Sequence, residues 1–129
     1  MTTVFRAADL SSEQLDEALL APPSATPLSG PITVRSRVAY KSDDNHIISG
    51  TWESEPGTSR WEFLNRGEVI TVVEGRMTVT EDDGEPVVLS AGDTAYFPLG
   101  WTGVWIVHER LRKIFVVYTA LESGASTSG

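Results

Sequence analysis

Residues Gly67-Glu68-Val69-Ile70-Thr71-Val72-Val73-Glu74-Gly75 read as a strand entering a tight glycine turn, rich in the β-branched side chains that suit a pleated, half-buried surface. Arg76 to Glu81 resumes as a second strand. Asp82-Asp83-Gly84 then supplies a hairpin turn, because an Asp-Gly pair tolerates positive φ. Outward from this core the same grammar repeats. Residues 32–40 alternate Ile32, Val34, Ser36, Val38 and Tyr40 against Thr33, Arg35, Arg37 and Ala39. Further strands are predicted at 46–53, 59–64, 86–90, 94–98, 103–108 and 112–120, with Pro56-Gly57 as a turn. Turns at this regular spacing predict an all-β sandwich or barrel. Gly75, Gly84 and Gly92 are placed where strands reverse, since only glycine enters the left-handed region freely.

The N-terminal part reads differently. Residues 9–20, DLSSEQLDEALL, carry a Ser11 or Ser12 cap, acidic residues near the positive end, and a Leu15, Ala18, Leu19 stripe, which together predict one short helix. Pro22, Pro23, Pro27, Gly30 and Pro31 stop it.

At 129 residues the chain suits a single domain. Its net charge of −8 disfavours nucleic acid and anionic membranes as partners. The absence of cysteine excludes disulfides and thiolate metal sites. The first residues lack the apolar run of a signal peptide, and no apolar stretch is long enough to span a membrane, so a cytoplasmic protein is expected.

Three pieces carry a family resemblance: Gly67 to Gly75; Gly92-Asp93-Thr94-Ala95-Tyr96-Phe97-Pro98-Leu99-Gly100-Trp101; and Gly103-Val104-Trp105 followed by Arg112-Lys113. Together with Gly50-Thr51-Trp52-Glu53 and Pro56-Gly57 they resemble the cupin superfamily, in particular the small subfamily of ureidoglycine aminohydrolase and the ethanolamine-utilisation cupin. The likeness spans residues 45–120. It implies a cupin-type antiparallel β-barrel, or jelly roll, with the short N-terminal helix added. The expected organisation is helix and linker over 1–30, barrel over 31–121, and a flexible tail over 122–129. The resemblance also implies a homodimer, built through exchanged or abutting N-terminal strands.

In that superfamily three histidines and a glutamate hold a divalent metal inside the barrel. Glu68 matches the glutamate, with six residues between it and Gly75. The paired histidine positions fall on Glu62 and Leu64 with the shorter spacer, or on Trp61 and Phe63 with the longer one. Gly92, Pro98 and Gly100 match the second motif, but its histidine position is Gly103 and its asparagine position is Val107. The usual site is therefore lost and no cofactor is expected. An unusual divalent site on Glu62, Glu68 and His46 stays open as an alternative. His108 has the opposite parity to Gly103 and reads as outward-facing; His46 reads as a loop or strand-end residue.

Glu62 and Glu68 share parity, and both project inward if the shorter spacer holds. Two such carboxylates would repel, and the pair could then act as acid and base. The competing reading leaves Glu62 at the barrel mouth. Trp105, Trp61, Tyr96, Trp101 and Phe63 are the candidate substrate-binding wall, set against plain core filling. Arg35 and Arg37 read as a solvated or dimer-edge face. The Arg110, Arg112, Lys113 cluster reads as surface, with an inward arginine against Glu68 as the alternative. The functional expectation is an enzyme acting on a small polar metabolite in the cavity, with Glu68 and Glu62 catalytic. The alternative is a non-catalytic small-molecule-binding module or a dimeric scaffold or sensor.

Overall fold

Alternating sequence becomes sheet throughout the chain from Thr33 onward. The computed structural model describes residues 2–119. Its strands are β1 (Asp16–Leu19), β2 (Ala25–Pro27), β3 (Thr33–Lys41), β4 (Ile47–Ser54), β5 (Gly57–Glu62), β6 (Arg66–Glu81), β7 (Val87–Ser90), β8 (Thr94–Phe97) and β9 (Thr102–Thr119). All pairings are antiparallel.

β9 is the spine. Its first half pairs with β5, from Glu62 opposite Thr102 to Gly57 opposite Val107. Its second half pairs with β4, from Ser54 opposite Leu111 to Ile47 opposite Tyr118. Along its other edge it runs the full length of β6. β6 in turn carries β8 on its first half and β7 on its second. The sheet thus divides into two leaves that share β6 and β9. Apolar side chains of both leaves meet in one core: Ile70, Val72, Phe97, Phe115 and Val117 from one, Trp61, Met77, Val79, Leu89, Trp105 and Val107 from the other. This is the cupin jelly roll.

The point where the leaves part is legible at Gly75. The register of β6 slips between Val72 and Met77, opposite residues 107–113 of β9. Gly75 sits in that bulge with φ +91, and a Cβ there would lie 2.2 Å from the Arg110 carbonyl oxygen. A bulge bends and twists the strand that bears it. Gly75 is therefore not a chain reversal, as the sequence suggested, but a bend within one continuous strand. At the following hairpin the left-handed residue is Asp83, φ 64, rather than Gly84.

The predicted N-terminal helix does not form. Two single turns of 3-10 helix, Ala7–Asp9 at its threshold and Ser12–Gln14 in its first half, take its place, and Asp16–Leu19 extends as β1 along the edge of β3. An isolated helix this short is marginal in water, whereas the free edge of β3 offers a ladder. Ser12 does not cap; its hydroxyl donates to Glu53 at 2.7 Å. β2 likewise adds to β5, so the segment expected to be helix and linker contributes two strands to the sheet. The tail from Glu122 and the last residues of the expected barrel lie outside the described residues. Among the described residues no helix is long and apolar enough to cross a membrane.

Candidate functional site

Inward parity on β9 runs through Gly103, Trp105, Val107, Leu111, Lys113, Phe115 and Val117, all buried. Lys113 is thus carried into the interior, where its Nζ lies 3.0 Å from Glu68 Oε2, with both side chains at most 5% exposed. Three indoles surround the ammonium: its Nζ is 4.3 Å from the Trp52 ring centre, 4.4 Å from Trp105 and 5.4 Å from Trp61. Indole faces are the best aromatic partners for a cation. Burial pushes Lys113 below its ordinary value of 10.5; the Glu68 carboxylate acts against that fall, and the neighbouring Arg66 charge adds to it.

The pair forms part of the wall of a cavity of about 220 Å³, lined also by Ser36 and Val38 of β3, Ile48 and Trp52 of β4, Trp61 of β5, Arg66, and Phe115 and Val117 of β9. Trp52, Trp61 and Arg66 also border a recess beneath Leu20–Ala25, so the N-terminal segment forms one lip of the site.

Behind the cavity lies an aromatic floor. Trp61 and Trp105 stack with ring centres 3.9 Å apart, and Phe63, Phe97 and Trp101 continue the cluster. Trp61 reaches the cavity wall. Trp105 and Phe63 are fully buried, and Trp101 is packed in the core. Tyr96 is 72% exposed; with Trp101 it borders a groove on another part of the surface, so it does not join the other aromatics at the cavity.

Glu62 also departs from the shorter-spacer reading. The buried parity of β5 falls on Ser59 and Trp61 and continues to Phe63. Glu62 therefore faces outward, half-exposed, 3.5 Å from Arg60. The longer spacer holds, and Trp61 and Phe63 stand at the histidine positions of the motif. Glu68 meets a lysine rather than a second carboxylate, and the residue that sequence reasoning left on the surface is the one at the centre.

The residues present do not fit the divalent metal of the superfamily. Trp61, Phe63 and Gly103 offer no ligand atoms, and Glu68 is engaged by Lys113. A Cβ at Gly103 would lie 2.3 Å from the Thr80 carbonyl oxygen and 2.6 Å from the Trp101 ring, so this backbone excludes any side chain there. His46 faces away from the cavity, its Nδ1 2.9 Å from Thr119 Oγ1. His108 is exposed and bonds Thr78. Among the described residues no three His, Asp or Glu side chains converge to hold a metal ion.

A second buried carboxylate lies on the opposite face of β4. Glu53 is fully buried beneath the N-terminal segment, with Arg112 Nη2 at 3.2 Å, Arg35 Nη1 at 3.4 Å and Arg110 Nε at 3.6 Å. Burial alone would raise its pKa, but the Ser12 hydroxyl and the Arg112 guanidinium outweigh that and hold it below the ordinary carboxylate value. Arg112 also donates to the Ala7 and Leu10 carbonyls. Arg35 and Arg112 are therefore structural clamps, not the solvated residues expected.

Residues 41–115 match the family model of the EutQ-like cupin domain. The chain belongs to that family. Among solved structures it is similar to the EutQ protein of Clostridium difficile, at 26% identity over 69% of this chain and 70% of that one, with a TM-score of 0.59. A protein of unknown function from Rhizobium leguminosarum matches over 93% of this chain and 99% of its own, at 22% identity and a TM-score of 0.63. Ectoine synthase from P. lautus matches at 17% identity over 74% and 70% of the two chains, with a TM-score of 0.60. With the latter two the chain shares the fold alone. No curated protein matches the chain at a significant level.

Proposed function

We propose that this EutQ-like cupin is an enzyme acting on a small polar metabolite in the barrel cavity, with the Lys113–Glu68 pair moving a proton where other cupins use a metal. The observation that carries the reading is the ammonium and carboxylate 3.0 Å apart on the wall of a cavity large enough for a small ligand. A lysine held below its ordinary value by burial offers more free amine near neutrality than an exposed one, and a carboxylate in hydrogen-bond reach can take or return its proton. Glu68 and Lys113 are the catalytic candidates. Trp61 and Trp52 wall the ligand, and Trp105 positions Lys113 from behind.

Turnover of a panel of small amino acids, ureides and amides, followed by NMR, tests this. Glu68→Gln and Lys113→Met should each lose about a hundredfold or more in rate, the scale of acid–base catalysis, while keeping the native circular dichroism. Full activity in either variant would contradict the proposal.

A non-catalytic binding module is the second reading. The three indoles around Lys113 favour it, since they form a recognition surface that needs no chemistry. It predicts saturable quenching of tryptophan fluorescence without turnover. Either reading accommodates a homodimer, supported by exposed Val38, Tyr40 and Ile47 on adjoining ends of β3 and β4 and testable by light scattering.

A further inference from the structure

We infer that the cavity selects a small monocarboxylate and that Arg66 is the residue that binds its carboxylate group. The inference rests on the cavity being the functional site and goes on to name its ligand class. Arg66 opens β6 and has the same parity as Glu68. It lines the Lys113–Glu68 cavity, the adjoining recess under the N-terminal segment, and an outer hollow beside Asp44 and His46. Its Nε is buried without a hydrogen-bond partner among the described residues. Scarcity of acid does not explain this, because the chain has 18 Asp and Glu against 10 Lys and Arg. Arg35, Arg60, Arg76, Arg110 and Arg112 each hold a carboxylate. Arg66 makes no such pair with any described residue. The guanidinium is half-buried, with its Nε closed off from water and unpaired, and a planar carboxylate is the group its fork matches.

Charge counting fixes the valence. The Lys113–Glu68 pair is neutral whichever of the two holds the proton, so Arg66 leaves the cavity with one net positive charge. A monoanion balances it. A dianion would place a surplus negative charge beside Glu68. Size narrows the class further. At about 220 Å³ the cavity lies below the roughly 300 Å³ at which pockets for drug-sized ligands begin, which suits an acid of a few carbons. The Trp52 and Trp61 faces accept its carbon skeleton, and the Ser36 hydroxyl on the wall supplies a further polar contact.

The test is a tryptophan fluorescence titration of the full chain at constant ionic strength with propionate, pyruvate, propionamide, malonate and inorganic phosphate. Saturable binding of propionate or pyruvate, at least tenfold tighter than of neutral propionamide and tighter than of malonate or phosphate, is expected. Arg66→Gln should abolish the preference for propionate over propionamide, and Arg66→Lys should weaken binding yet keep the preference. The inference is overturned if propionamide binds as well as propionate, if phosphate binds tightest, if no carboxylate binds, or if Arg66→Gln leaves carboxylate affinity unchanged. Arg66-dependent carboxylate binding with turnover indifferent to Glu68→Gln and Lys113→Met would uphold the inference and sink the enzyme proposal. Turnover that needs the pair, with carboxylate affinity indifferent to Arg66, would do the reverse.

Discussion

Replacing Lys113 with methionine removes one charge from a pair buried on both sides. The side-chain exposures of Lys113 and Glu68 are 1% and 5%, so water cannot solvate the carboxylate left behind. Breaking a buried pair by deleting one partner costs about 3–5 kcal/mol. Loss of the ammonium from among three indoles adds about 0.5–2 kcal/mol. The loss is then about 3.5–7 kcal/mol; for a domain of this size each kcal/mol moves the midpoint by about 4 °C, so Lys113→Met should melt about 14–28 °C lower, with a matching fall in the urea midpoint. The double variant Lys113→Met, Glu68→Leu removes both charges and fills the space with apolar atoms. Such replacements are neutral or stabilising, so the double should be more stable than the single, with a coupling of about 3 kcal/mol or more. Tryptophan fluorescence and far-ultraviolet circular dichroism read the unfolding. The reasoning fails if Lys113→Met costs less than about 1 kcal/mol, or if the double variant is as unstable as the two single variants added together. The double should also be inactive while stable, which separates the role in folding from the role in chemistry.

Three further outcomes follow from the geometry. Gly103→His restores the missing ligand type but meets the Thr80 carbonyl at 2.3 Å; it should lower stability and bind no stoichiometric manganese, iron, nickel or zinc by elemental analysis, and near-stoichiometric metal would contradict the steric argument. Arg112→Ala cuts the bonds to Ala7, Leu10 and Glu53; hydrogen exchange should then rise in residues 2–15 before it rises in β6, and a uniform rise would show that Arg112 is not a local clamp. Arg60 and then Thr102 hold Asp82 at about 2, down from its ordinary 3.8. The folded state thus binds its proton later than the unfolded chain, so the stabilisation is complete above about 3.8 and is lost as pH falls towards about 2. Asp82→Asn should flatten that limb of the urea midpoint against pH, and an unchanged limb would assign acid lability to other groups.

Most of the fold was legible because the chemistry of strands is local. Alternation and turn residues placed the strands from Thr33 onward to within a few residues. The N-terminal segment was misread, since a helical stripe of Leu15, Ala18 and Leu19 says nothing of the open edge of β3 that captures residues 16–19. The site was half legible. Glu68 came from its spacing to Gly75 and Trp61 from the aromatic pattern. Lys113 was missed because residues 103–108 and 112–120 read as two strands. Odd-numbered parity holds on both sides of the exposed stretch of β9 at 108–110 and places Lys113 inside with Gly103, but it can be read only if the two segments are taken as one strand. Glu62 was misplaced by a one-residue ambiguity in the spacer, which in a strand turns a side chain to the other face. The Glu53 cluster was not readable, because Arg35, Arg110, Arg112 and Ser12 meet it only through tertiary folding.

The most direct test of the Lys113–Glu68 centre is an NMR titration of the lysine side chains. The chain has only two lysines, Lys41 and Lys113, so assignment needs a single substitution. Lys113 should titrate below the ordinary lysine value of 10.5, and lower still in Glu68→Gln, where the carboxylate no longer supports its charge. A Lys113 titrating at or above 10.5, or one unmoved by Glu68→Gln, would contradict a buried, carboxylate-coupled amine and the function built on it.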